Sequence, residues 1–179
     1  ELRKVIGAYA DASVRNVLAL RGDPPRDPAP DWHEAEDAPR HADELVSMLR
    51  ELGDFCVGVA AHPEGHPQSN DLDIDAKHLA QKAAVGADFA ITQFFFDARQ
   101  YFELVDRVAA AGTDIPIIPG IMPVTNVRQI QRMAELSGAA FPEDLAQRLI
   151  AVEGDPEAVR RIGVEAACKL CDDLIAGGA

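Results

Sequence analysis

Four short runs of the chain are almost wholly apolar: residues 16–20 (NVLAL), 55–61 (FCVGVAA), 89–92 (FAIT) and 115–118 (IPII). None alternates apolar with polar positions, so each is expected to be a strand covered on both faces, as in a parallel sheet. The segments between them repeat their apolar positions at helical spacing. Leu45, Met48, Leu49 and Leu52 fall at i, i+3, i+4 and i+7, and so do Tyr101, Leu104, Val105 and Val108. Each set makes one stripe that can pack on a sheet. Asn70 and Asp71 open a third helical segment, which Gly86 closes as a cap residue. Beyond the fourth apolar run only helical patterns remain, at about 124–137, 142–151 and 155–176. No repeat of solenoid period occurs. The one linker-like stretch, 24–39, is rich in Pro and Asp and falls in a strand-to-helix loop.

Strand and helix in strict alternation imply right-handed crossovers and a parallel α/β sheet. Two architectures fit: a small open doubly wound sheet, or about four strands of a parallel (β/α)8 barrel of the TIM type. Both place ligands at the carboxyl ends of the strands. The unusual polar residues fall there after every run: Arg21-Gly22-Asp23, then His62-Pro63-Glu64-Gly65-His66, then Gln93 before Phe94-Phe95-Phe96-Asp97, then Pro119-Gly120. Turning the chain requires none of these side chains in particular, so their convergence on one rim is the strongest functional signal the residues carry.

Composition narrows the picture. A chain of 179 residues fits one domain, taken as residues 1–179. A formal charge of −13 without a basic stripe argues against binding nucleic acid. An anionic ligand would therefore need a local cluster of cations. No apolar run approaches membrane-spanning length. The three cysteines, Cys56, Cys168 and Cys171, are too few and odd in number for a disulfide framework. Because the chain opens on Glu1 rather than Met, a natural start upstream is expected.

Several motifs have a plainer reading beside the functional one. His62 and His66 are four apart, but Pro63 and Pro67 speak against a helix presenting both to a metal. Asp71, Asp73 and Asp75 imitate a calcium loop, yet Ala76 stands where the turn glycine belongs and Lys82 where the closing glutamate belongs. An acidic first helical turn explains them better. Cys168 and Cys171 form a CxxC late in a helical pattern, so they are expected to be small buried hydrophobes rather than a redox pair. The aromatic run Phe94–Phe96 is ambiguous between core and site.

In their order and spacing, LALRGDPP, VAAHPEGHP, ITQFFFD and IIPGIMPVTN resemble the methylenetetrahydrofolate reductase family, most of all its bacterial, FAD-dependent type, over almost the whole chain. The resemblance implies the central to C-terminal part of a flavin-binding β/α barrel, with NADH or NADPH as hydride donor and methylenetetrahydrofolate as acceptor. It implies that Arg21, Gly22 and Asp23 contact the flavin, with the Asp23 carboxylate placed to poise its potential. His41, Ala42, Ala60, His62 and His66 would lie along the FAD, with Asp75, His78, Gln81 and Lys82 on the following helix and Lys82 as the pyrophosphate partner. Gln93 would bond the pterin ring, and Tyr101 and Gln129 would border the substrate. The family carries an aromatic where His62 stands, and some members a phenylalanine where Met133 stands. Its early strands, with the glutamate that serves as general acid, would precede Glu1, and its last strand would follow Ala179. The 179 residues alone are therefore expected to hold FAD weakly or not at all and to show no turnover. The resemblance further implies a cytoplasmic enzyme and allows a homo-oligomer. The alternatives are another barrel enzyme of the phosphate-binding aldolase or isomerase type, which calls for a Schiff-base lysine or glycine-rich phosphate loop, and a non-catalytic barrel fragment.

Overall fold

A computed structural model describes residues 1–20, 39–66, 69, 71–128 and 141–179. Arg21, Gly22, Asp23, Asn70, Gln129, Met133 and most of the 24–39 loop lie outside the described residues, as do residues 129–137 of the helix expected at 124–137.

The apolar runs form four strands: β1 (Asn16–Ala19), β2 (Cys56–Ala61), β3 (Phe89–Thr92) and β4 (Ile117–Ile118). They pair in parallel in the order β1-β2-β3-β4. Within these four strands the order shows no reversal of the kind a doubly wound sheet makes at its switch point. A sheet laid down in sequence is how a β/α barrel is built. The fourth run shrinks to two residues because Pro116 has no N–H for the ladder. Only its carbonyl takes part, accepting from Ala90 N at 2.8 Å.

Helix α2 (Ala42–Leu52) follows β1, α3 (Leu72–Ala84) follows β2 and α4 (Ala98–Ala110) follows β3; α5 (Glu143–Ile150) and α6 (Pro156–Gly177) close the described chain. Asp71, Asp97 and Asp155 cap α3, α4 and α6 by accepting first-turn backbone N–H groups. A helix α1 (Leu2–Asp11) precedes β1 and was not expected from the sequence. Among the described residues, no helix is long and apolar enough to cross a membrane.

One face of the sheet is packed. Ala19, Val57, Val59, Ala61 and Ala90 bury against Val46 and Leu49 of α2, Ala76 and Leu79 of α3, and Leu104 and Val108 of α4. On the other face Leu18 is 45% exposed and Ile118 48%. This corrects the expectation of strands covered on both sides. The register sets Leu18, Gly58 and Phe89 in one row across that open face and Ala60, Ile91 and Ile118 in the next. Gly58 is required there, because a Cβ would come within 2.6 Å of the Phe89 ring.

Stabilising contacts gather at the amino ends of the strands. Arg50, near the end of α2, donates to the carbonyls of Gly86 and Phe55 and pairs with Asp88 at 2.5 Å. Burial works against the charge of Asp88, but the Val57 N–H and the Arg50 guanidinium hold its carboxyl below the usual range. This ties α2 to the start of β2 and the end of α3, at the opposite pole from the functional rim.

Candidate functional site

At the carboxyl end of β2 the chain places Ala60, His62 and His66 beside two residues of α3, Asp75 and Lys82. Helical spacing brings the last two together, since they lie seven residues, or two turns, apart on one face. The Lys82 Nζ donates to the Ala60 carbonyl at 3.2 Å. The His66 backbone N–H donates to Asp75 Oδ2 at 2.8 Å. The loop between turns on Gly65, whose φ of +95° is left-handed backbone that favours glycine. The rings of His62 and His66 meet edge to face at 4.8 Å.

Lys82 is half-buried, and burial lowers its pKa from the ordinary lysine value, while Asp43 and Asp75 pull it back up. Asp43, in the first turn of α2, also belongs to this cluster; no sequence motif marks it, because its approach to Lys82 depends on the crossover between α2 and α3. An ammonium has three donors, and Ala60 takes one. A desolvated cation of this kind gains from the arrival of an anion.

Burial first, then His66 and Lys82, lower the His62 pKa from 6.5 to about 4, against the upward pull of Asp75. His62 is therefore neutral near neutral pH. The unfolded chain takes up a proton near pH 6.5 that the folded chain refuses until about pH 4, so acidification favours unfolding through that window. The stability at stake is fully present above pH 6.5 and declines by up to about 3 kcal/mol towards pH 4. Urea unfolding above pH 6.5 and near pH 4.5 checks this: His62→Gln should remove a large part of the loss seen in the parent chain.

The next strand end carries Gln93. Its backbone N–H donates to the Ala61 carbonyl at 2.8 Å, so the ends of β2 and β3 are joined directly. Its exposed side chain turns Oε1 back to accept from Phe94 N at 3.0 Å. After β4, the Gly120 N–H donates to Thr92 Oγ1 at 2.8 Å, close against β3.

The remaining expected residues are placed differently. His41 is exposed as the residue before α2, and no side chain among the described residues caps that helix. His78 and Gln81 are exposed on α3, while Asp75 and Lys82 turn inwards. Tyr101, expected to border the substrate, is buried. It is 6% exposed, stacks on Phe95 at 6.2 Å, and donates its hydroxyl to the Ile117 carbonyl at 2.8 Å. It belongs to a core of Phe95, Leu170 and Leu174, so its role is to hold β4 against α4. Of the aromatic run, Phe95 is core at 1% exposed, while Phe94 and Phe96 are half-buried. The cysteine expectation also needs correction, for Cys168 is exposed and Cys171 only half-buried on α6.

A parallel sheet wound in sequence, with lysine, imidazole and carboxylate side chains gathered at one strand end and an amide at the next, defines a parallel α/β protein with its polar cluster on the carboxyl rim. Comparison with known proteins specifies the family. The family model for methylenetetrahydrofolate reductase matches residues 1–179. Methylenetetrahydrofolate reductase 1 of Schizosaccharomyces pombe is 44% identical over 94% of this chain and 28% of its own length. The 5,10-methylenetetrahydrofolate reductases of Pectobacterium carotovorum and Escherichia coli are each 38% identical over 93% of this chain and 54% of their own length. The chain belongs to the methylenetetrahydrofolate reductase family, and it spans about half the length of these bacterial relatives. Among solved structures, a Clostridium thermocellum protein described as binding two copies of 5-methyl-5,6,7,8-tetrahydrofolic acid shares the fold with a TM-score of 0.58 and 18% identity, over 75% of this chain and 46% of its own.

Proposed function

We propose that this chain forms the flavin- and folate-binding half of a cytoplasmic reductase that passes hydride from NADH or NADPH through FAD to 5,10-methylenetetrahydrofolate, giving 5-methyltetrahydrofolate. The observation that carries the reading is the cluster around Lys82: a half-buried ammonium with donors to spare, beside a strand end that Gln93 joins to the next. The fit to FAD is chemical as well as positional. In a chain of net charge −13, a dinucleotide pyrophosphate needs a local cation, and Lys82 supplies one. The small residues Ala42 and Ala60 leave room along the rim, and neutral His62 offers a flat face without adding charge.

When bound, FAD supplies the two-electron hydride chemistry. The residues of the chain bind and orient. Lys82 holds the pyrophosphate as a point charge while Asp75 fixes the loop that carries His66. Arg21, Gly22 and Asp23 contact the flavin, with Asp23 tuning its potential by charge. Gln93 presents its amide to the pterin and Gln129 borders the substrate, while Tyr101 supports β4 from the core. The folate content of the Clostridium thermocellum structure is in keeping with a folate on a rim of this fold.

The test is a graft in which this chain replaces the matching half of the Escherichia coli reductase. A yellow protein that oxidises NADH with menadione and reduces methylenetetrahydrofolate supports the reading. A folded but colourless graft contradicts it.

A further inference from the structure

The loop that carries His62 and His66 has a second tether, on a residue with no place in the reading above. Gln100, in the first turn of α4, donates from Nε2 to Glu64 Oε1 at 2.7 Å across 36 residues of sequence. The post is itself tied down on both sides. Asp97 caps α4 by accepting from Arg99 N at 3.0 Å, and Tyr101, the next residue, is locked by its bond to the Ile117 carbonyl at 2.8 Å. Asp75 holds the loop from α3 and Gln100 holds it from α4, so the turn between His62 and His66 is suspended between two helices.

The Gln100 amide is committed in one sense only, since a flip would set its oxygen against the Glu64 carboxylate. Its own Oε1 is buried and meets no donor among the described residues. An unsatisfied buried carbonyl costs stability that an apolar side chain would avoid.

We propose that Gln100 is a positioning residue: through Glu64 it fixes the height of the His62–His66 loop relative to the neighbouring strand end that bears Gln93. The backbone bond from Gln93 to Ala61 joins the two strand ends whatever the side chains are. The Gln100–Glu64 bond extends that register outwards into the loops, where it depends on sequence. The consequence for ligand binding rests on the FAD reading of this loop.

Hydrogen exchange of the Gly65 and His66 amides, both hydrogen-bonded in the loop, measures the tether without any cofactor. In the full chain, Gln100→Met is expected to speed their exchange about tenfold, the loss of one hydrogen bond to a charged group. Gln100→Lys, which restores a donor to Glu64, should return exchange to the parent rate. Titration of the grafted reductase with FAD should follow the same order, with affinity about tenfold weaker in Gln100→Met and recovered in Gln100→Lys. Unchanged exchange in Gln100→Met, or equal acceleration in both variants, would overturn the positioning role. Faster exchange with rescue but no change in FAD affinity would uphold the positioning role and count against FAD as the ligand of the loop.

Discussion

Lys82→Ala is expected to weaken FAD binding by about a hundredfold, more than the loss of one neutral hydrogen bond would cause. The ammonium is the cation that the cluster offers, held at 3.2 Å from the Ala60 carbonyl and flanked by Asp43 and Asp75. Its removal does more than delete an attraction. Asp43 and Asp75 are left without their cation in a protein already at −13, so the local charge becomes more negative where the pyrophosphate arrives. Lys82→Arg keeps the charge but presents a planar fork where the Ala60 carbonyl and a phosphate ask for a compact head, so partial recovery is expected. Flavin fluorescence during titration of the grafted barrel measures both variants. An FAD affinity equal to the parent's in Lys82→Ala would remove Lys82 from the site.

Gln93→Ala should leave FAD affinity and NADH–menadione turnover near the parent values while kcat/KM for methylenetetrahydrofolate falls about a hundredfold. Sites that recognise a substrate through paired hydrogen bonds lose much of their affinity when one polar partner is left without the other. Gln93 is suited to this because its backbone is fixed by the Ala61 carbonyl while its side chain is exposed. Only the contact from Phe94 N to its Oε1 must be surrendered as the amide turns to a ligand. Gln93→Glu separates the two halves of the amide. It keeps an acceptor for Phe94 N and loses both donors, so a defect as deep as that of Gln93→Ala would assign recognition to the N–H groups. If the alanine variant damaged flavin binding as strongly as folate reduction, Gln93 would belong to the cofactor instead.

The strands were legible because both local composition and flanking turn residues pointed to them. Phe89–Thr92 falls where the apolar run does, and Cys56–Ala61 begins one residue late because the Phe55 carbonyl is given to Arg50. The order of the strands could not be read in advance, since both architectures weighed share the same alternation of elements. Helix α1 shows the opposite failure. Leu2, Val5, Ile6 and Tyr9 repeat the spacing that marked the other helices, but only Ile6 is buried, and no side chain caps the start. At the site, the family resemblance singled out Lys82, Asp75, His62 and His66, and the structure gathers them at the end of β2. Asp43 and the Gln100–Glu64 tether were not legible, because each depends on a crossover that brings distant residues to one rim. The burial of Tyr101, by contrast, was legible. Its position on the apolar stripe of α4 already implied burial, and the hydroxyl found its partner in a backbone carbonyl of β4 rather than at the surface.

The central claim is that Lys82 and Gln93, on successive β/α units, serve one shared cavity. A crystal structure of the grafted barrel with FAD and methyltetrahydrofolate tests it most directly. The account predicts the Lys82 ammonium in hydrogen-bonding contact with the pyrophosphate, the Gln93 amide paired with the pterin, and the flavin ring between them. A pyrophosphate seated away from α3, or a pterin out of reach of the end of β3, would contradict it.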